Sequence, residues 1–239
     1  MIGRFITFEG GEGVGKSTQI KRLAAALRKR SVDVVLTREP GGTPGAEAVR
    51  HVLLSGAAKS LGPDAEAMLF AAARIDHVDR LIRPALDSGR WVLCDRFTDS
   101  TRVYQGTGGV ASGLLHILEM VAIDGLKPDL TLVLDVPAEI GLNRALKRAK
   151  EENETDLDRF EEEAIEVHRQ RREAFLSIAE SEPERCVVID ANMSQKKTAD
   201  AIWAEVETRL GLAKESATDP LDATFTSIDA ALQVIRGAH

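Results

Sequence analysis

Cysteine is scarce: Cys94 and Cys186 are the only two in 239 residues. They lie far apart in apolar runs, which excludes a disulfide framework or thiolate zinc site and reads as reduced core cysteine. Aromatic residues are also few, at 4%, with a single tyrosine, Tyr104. No apolar run approaches the roughly 18 residues that span a bilayer. Met1-Ile2-Gly3-Arg4 leads straight into a strand pattern instead of a charged-then-apolar leader, so a cytoplasmic protein without membrane contact is expected. Excess positive charge is missing too. Thirty-one Lys and Arg against 38 Asp and Glu leave a net charge of -7, which opposes a broad grip on nucleic acid and allows only a local basic pocket. What remains is an ordinary globular balance of 44% apolar and 29% charged residues, over a length that suits one α/β domain with an appendage.

Five short apolar runs predict strands: 4–9 (RFITFE), 32–37 (VDVVLT), 91–95 (WVLCD), 130–136 (LTLVLDV) and 186–190 (CVVID). Their apolarity is continuous, not alternating, and helical sequence separates them. That predicts a five-stranded parallel sheet covered on both faces, a three-layer α/β/α sandwich. Residues 144–172 carry dense charge of both signs and are expected to be exposed, forming a lid at about 144–160. After Gly211, Leu221, Phe225, Ile228, Leu232 and Ile235 recur at helical spacing behind Asp219-Pro220, which predicts an extra C-terminal amphipathic helix over part of 211–239.

Gly10-Gly11-Glu12-Gly13-Val14-Gly15-Lys16-Ser17, followed by Thr18, satisfies G-x-x-x-x-G-K-[ST] directly between the first strand and the first helix. Backbone N–H groups and the positive helix end cradle phosphate oxygens in such a loop. Lys16 adds a cation, and the Ser17 hydroxyl a ligand for Mg²⁺. A guanine-reading Asn-Lys-x-Asp tetrapeptide is absent, which argues against a GTPase switch. Several arginines are instead placed to meet a second anion. Asp95 ends the third strand, where ligands of parallel sheets collect, and can orient Mg²⁺ or its waters. Arg96 offers a planar fork to an acceptor phosphate. Ser100 to Gly106 combines hydroxyls, an amide and an aromatic ring, groups suited to reading a base and a sugar.

In FEGGEGVGKST (8–18), TREPGGTPGAE (37–47), LFAAAR (69–74) and DRFTDSTRVYQG (95–106), with DLDRFE (156–161) as a weaker fifth, the chain resembles the thymidylate kinase family over about residues 1–210. The resemblance implies a P-loop NTPase fold and transfer of the ATP γ-phosphate to dTMP with Mg²⁺, in a homodimer. It implies that Phe70 stacks on thymine, that Arg74 donates to the thymine O4, and that Thr101 and Gln105 fix the base edge. Tyr104 would lie against the deoxyribose, Glu12 would bind the 3′-hydroxyl, and Glu39 and Arg50 would line the same cleft. Gly13 follows the loop acid where part of the family has a basic residue, so the lid is expected to supply the cation through Arg148, ranked ahead of Arg159. His168 reads as a solvated helix residue, not a base. Phe97 departs from the Tyr or His usual there, Gly108-Gly109-Val110 from the usual basic ending, and the tail after Gly211 lies beyond the resemblance. A kinase of another nucleoside monophosphate and a non-catalytic nucleotide-binding regulator are the alternatives.

Overall fold

The computed structural model describes residues 2–151 and 163–212. Five strands, β1 (Phe5–Glu9), β2 (Val34–Arg38), β3 (Trp91–Asp95), β4 (Leu130–Asp135) and β5 (Cys186–Asp190), pair in parallel in the order β2-β3-β1-β4-β5. Each lies within two residues of its predicted apolar run. The sheet alternates its side chains between two cores, as a doubly covered sheet must. Ile6, Phe8, Leu93, Leu132 and Leu134 meet α1 (Lys16–Lys29) and α9 (Gln195–Leu210) on one face. On the other, Phe5, Val92 and Cys94 pack with the Val78–Ile82 turn and α4 (Arg83–Asp87), while Val133 and Cys186 pack with α5 (Thr98–Thr107) and α8 (Ile165–Ser181). Both cysteines are buried free thiols.

The remaining helices are α2 (Pro44–Leu54), α3 (Pro63–His77), α6 (Ser112–Ile123) and α7 (Ala138–Glu151). Thr43 caps α2 through its hydroxyl on the Ala46 N–H, with Pro44 at the first helical position. Among the described residues no helix is long and apolar enough to cross a membrane. The tail helix expected behind Asp219-Pro220 lies outside the described residues.

The chain leaves β1 toward β2 and leaves β3 in the opposite direction toward β4. The crevice beyond the carboxyl ends of β1 and β3 is therefore a topological switch point, the place where an open parallel sheet takes its ligands. The register sets Phe8 opposite Asp95. It brings the glycine loop after β1 beside Asp95 at the end of β3 and Arg96 just after it.

Candidate active site

The loop between β1 and α1 folds as its glycines dictate. Gly10, Gly13 and Gly15 have φ of 128°, 64° and 98°, conformations that other residues rarely adopt. A Cβ on Gly10 would stand 2.5 Å from the Leu134 carbonyl oxygen, and one on Gly13 would run into that of Gly141 in α7. No side chain caps α1, whose first residue is Lys16, so its opening N–H groups face the loop. Val14 is buried beneath, while Ser17 and Thr18 are exposed. The Lys16 ammonium is held over the loop by the Gly10 and Gly11 carbonyls at 3.0 and 2.7 Å. Burial and the Arg96 charge push it down to about 8. The Ser17 hydroxyl donates to the Asp95 carboxylate at 2.9 Å, joining the two expected metal ligands.

Arg96 takes a positive φ of 72°, a strained conformation that aims its side chain back across the loop. Its Nη1 donates to the Gly10 carbonyl at 3.2 Å and to Ser100 at 3.0 Å, and its Nη2 to Glu12 at 2.7 Å. Tyr104 donates its hydroxyl to the same Glu12 oxygen at 2.5 Å. Against burial, which alone would raise it, the Arg96 and Lys16 charges and the Tyr104 bond hold Glu12 down at about 2. One half-buried ion pair thus ties the glycine loop to the turn after β3.

Arg74, on α3, is 3% exposed. It is fixed by Glu39 at 2.7 Å, the Phe97 carbonyl at 3.1 Å and Thr101 at 2.9 Å. Its Nη1 makes no hydrogen bond among the described residues. Despite its burial, Glu39 is held low by Arg74 and His77. Arg50 donates to the Pro40 carbonyl at 2.8 Å, at the rim of the Glu39 loop. Phe70 is half-buried on α3, and Gln105 is buried on α5.

The family model described as Thymidylate kinase matches residues 8–202. A thymidylate kinase of Rhodopseudomonas palustris (strain BisB18) is 58% identical over 217 residues, 90% of this chain and 93% of that protein. One from a Bradyrhizobium species is 57% identical over 217 residues, 90% and 95% of the two chains. The crystal structure of thymidylate kinase from Ehrlichia chaffeensis superposes with a TM-score of 0.68 at 32% identity, covering 85% of this chain and 98% of that one. The chain belongs to the thymidylate kinase family.

Hydrogen bonds tie Lys16 to the glycine loop, Ser17 to Asp95, Arg96 and Tyr104 to Glu12, and Arg74 to Thr101. Phe97, the departure from the family pattern, is a packing platform: its ring meets Phe5 edge-on at 4.9 Å, and the Arg74 guanidinium lies 5.3 Å from its centre. Arg148 is exposed on α7, which runs into the expected lid, whereas Arg159 lies outside the described residues.

One expectation fails. The charged stretch is not uniformly solvated, because α8 turns one face inward: His168, Arg171, Phe175 and Ala179 are all buried on it. His168 is 6% exposed beside the glycine loop, and burial together with the Arg171 charge keeps it below the ordinary imidazole range. Arg171, which the sequence reading did not single out, lies 4.2 Å from the Tyr104 ring centre, as Arg96 does at 4.8 Å. It also pairs with Glu163. The available signal was spacing: 168, 171, 175 and 179 follow helical periodicity into the apolar Phe175 and Ala179.

Proposed function

We propose that this thymidylate kinase family member transfers the γ-phosphate of ATP to dTMP, giving dTDP and ADP. The observation that carries the reading is the Arg96–Glu12 pair, because it joins the donor's phosphate cradle to the acceptor's side of one crevice. ATP would lay its terminal phosphates on the loop amides, with Lys16 leaving the Gly10 and Gly11 carbonyls to meet them. The acceptor phosphate would take the Arg96 fork, and Glu12, released in part, would accept the 3′-hydroxyl. Tyr104 would lie against the deoxyribose. Phe70 would stack on the base, the open Nη1 of Arg74 would donate to the thymine O4, and Thr101 and Gln105 would line the base edge. Such a transfer depends on alignment and charge, so no general base is required of these residues.

The adjoining Ser17 and Asp95 oxygens are hard donors that suit Mg²⁺, an ion that binds few protein ligands and takes the rest from phosphate and water. When bound there, Mg²⁺ would neutralise charge on the donor phosphates. Arg148 on α7 is the basic residue we assign to the lid at about 144–160, within a kinase domain spanning 1–210. Exposed Met68 and Ile75 on α3, with Ile117, Met120 and Val121 on α6, form the apolar face we assign to a homodimer contact. The free thiols fit a cytoplasmic setting.

The test is ADP release measured across dTMP, dUMP, dCMP and dGMP. The expected result is the highest kcat/KM with dTMP. A different preferred acceptor overturns the substrate, and no turnover with any of them overturns the activity.

A further inference from the structure

Glu9, the last residue of β1, is fully buried and has no place in the site as described so far. Its Oε1 accepts the Phe97 N–H at 2.7 Å and the Ser100 N–H at 3.4 Å, and its Oε2 accepts the Ser100 hydroxyl at 2.6 Å. Those N–H groups open α5, whose own N-terminal residue supplies no side-chain cap. Glu9 therefore caps that helix from another strand, where a negative charge is favoured. The Ser100 oxygen also accepts from Arg96 Nη1 at 3.0 Å. A relay results in which Arg96 gives to Ser100 and Ser100 gives to Glu9.

We propose that Glu9 is the positioning residue of the acceptor clamp: it anchors the strained turn at Arg96 and, through the Ser100 hydroxyl, sets the lateral place of the Arg96 fork. A residue at positive φ holds that conformation only when its surroundings over-determine it. Here Glu9 takes the N–H of the very next residue, Phe97, and Arg96 donates its own N–H to the Phe8 carbonyl at 2.9 Å. The arrangement is costly. Burial and the neighbouring Asp99 charge push the Glu9 carboxyl up to about 7, with the Ser100 bond and the Arg96 charge pulling the other way. All three hydrogen bonds to Glu9 come from donors, so a glutamine serves poorly: with its carbonyl on the two N–H groups, its NH₂ would face the Ser100 oxygen and leave the Ser100 hydroxyl proton without its acceptor.

The inference rests on the kinase reading, and the experiment keeps the two apart by requiring that the wild type first phosphorylate dTMP. Steady-state kinetics of Glu9→Gln, Ser100→Ala and the double variant are measured with dTMP and ATP each varied. Each single change is expected to raise KM for dTMP about tenfold, the scale of one charge-assisted hydrogen bond, with KM for ATP within twofold of wild type. Because both act through one relay, Ser100→Ala is expected to add little once Glu9→Gln is present. An unchanged KM for dTMP, equal rises for both substrates, or multiplicative effects in the double variant would each overturn the proposal. Should Glu9→Gln not fold, Ser100→Ala alone decides: a selective rise in KM for dTMP supports the relay, and none removes it.

Discussion

Replacing Gly13 with alanine separates two costs that the glycine loop avoids together. Gly13 has φ 64°, and Gly211, at the end of α9, has the same φ. A Cβ at Gly211 meets nothing within 4 Å among the described residues, whereas one at Gly13 drives into the Gly141 backbone of α7. Gly211→Ala therefore measures the left-handed backbone penalty alone, about 1–2 kcal/mol. Gly13→Ala carries that penalty plus the overpacking of two backbones, another ~1–3 kcal/mol, for a total of about 2–5 kcal/mol. In a domain of this size each kcal/mol lowers Tm by roughly 2–4 °C. Gly13→Ala is then expected to unfold well before Gly211→Ala, with a denaturant-derived loss larger by at least about 1 kcal/mol. Equal losses would refute the claim that α7 rests against the loop. The same contact gives a physical reason for the residue after Glu12 to lack a side chain, and for a catalytic cation to come from elsewhere.

Three further outcomes follow from the site. Lys16→Ala is expected to lower kcat for ADP formation by at least ~10³, in line with removing a charge that meets the transferring group; near-wild-type turnover would remove Lys16 from the donor site. Because Lys16 sits near 8 instead of 10.5, kcat/KM for ATP in the wild type should fall as pH rises through about 8, and a flat profile to pH 9.5 would contradict its protonated role. Glu12 is held at about 2 against an ordinary 4.5. Its contribution to stability is therefore complete above pH 4.5 and is lost as pH falls toward 2, on the order of 3 kcal/mol; urea unfolding of Glu12→Gln from pH 5 to 2 should lose less than wild type by that amount.

Strands and loop were legible because their signals are local: continuous apolar runs bounded by glycine, and a phosphate-loop spacing that only a strand-to-helix turn satisfies. Strand order was not, since nothing in WVLCD or LTLVLDV says which neighbours β1. Of the site, Arg96 and Asp95 could be read from their position at a strand end. Arg171 and His168 could not be read from composition, because a helix written EVHRQRRE looks solvated until Phe175 and Ala179 show which face turns inward. The support beneath the site is longer in range still. Glu9 meets Ser100 across 91 residues, and Glu39 meets His77 across 38. Each partner is an ordinary polar residue in its own segment, and only the parallel sheet and the helices packed on it bring them together.

The central claim, two nucleotides aligned head to head in the crevice beyond β1 and β3, is tested most directly by an inhibitor that joins adenosine to thymidine through a chain of phosphates. Initial rates should show it competing with both ATP and dTMP, because one molecule would fill both halves of the site. Competition with only one of the two would mean that the other binds elsewhere, and the account would be wrong.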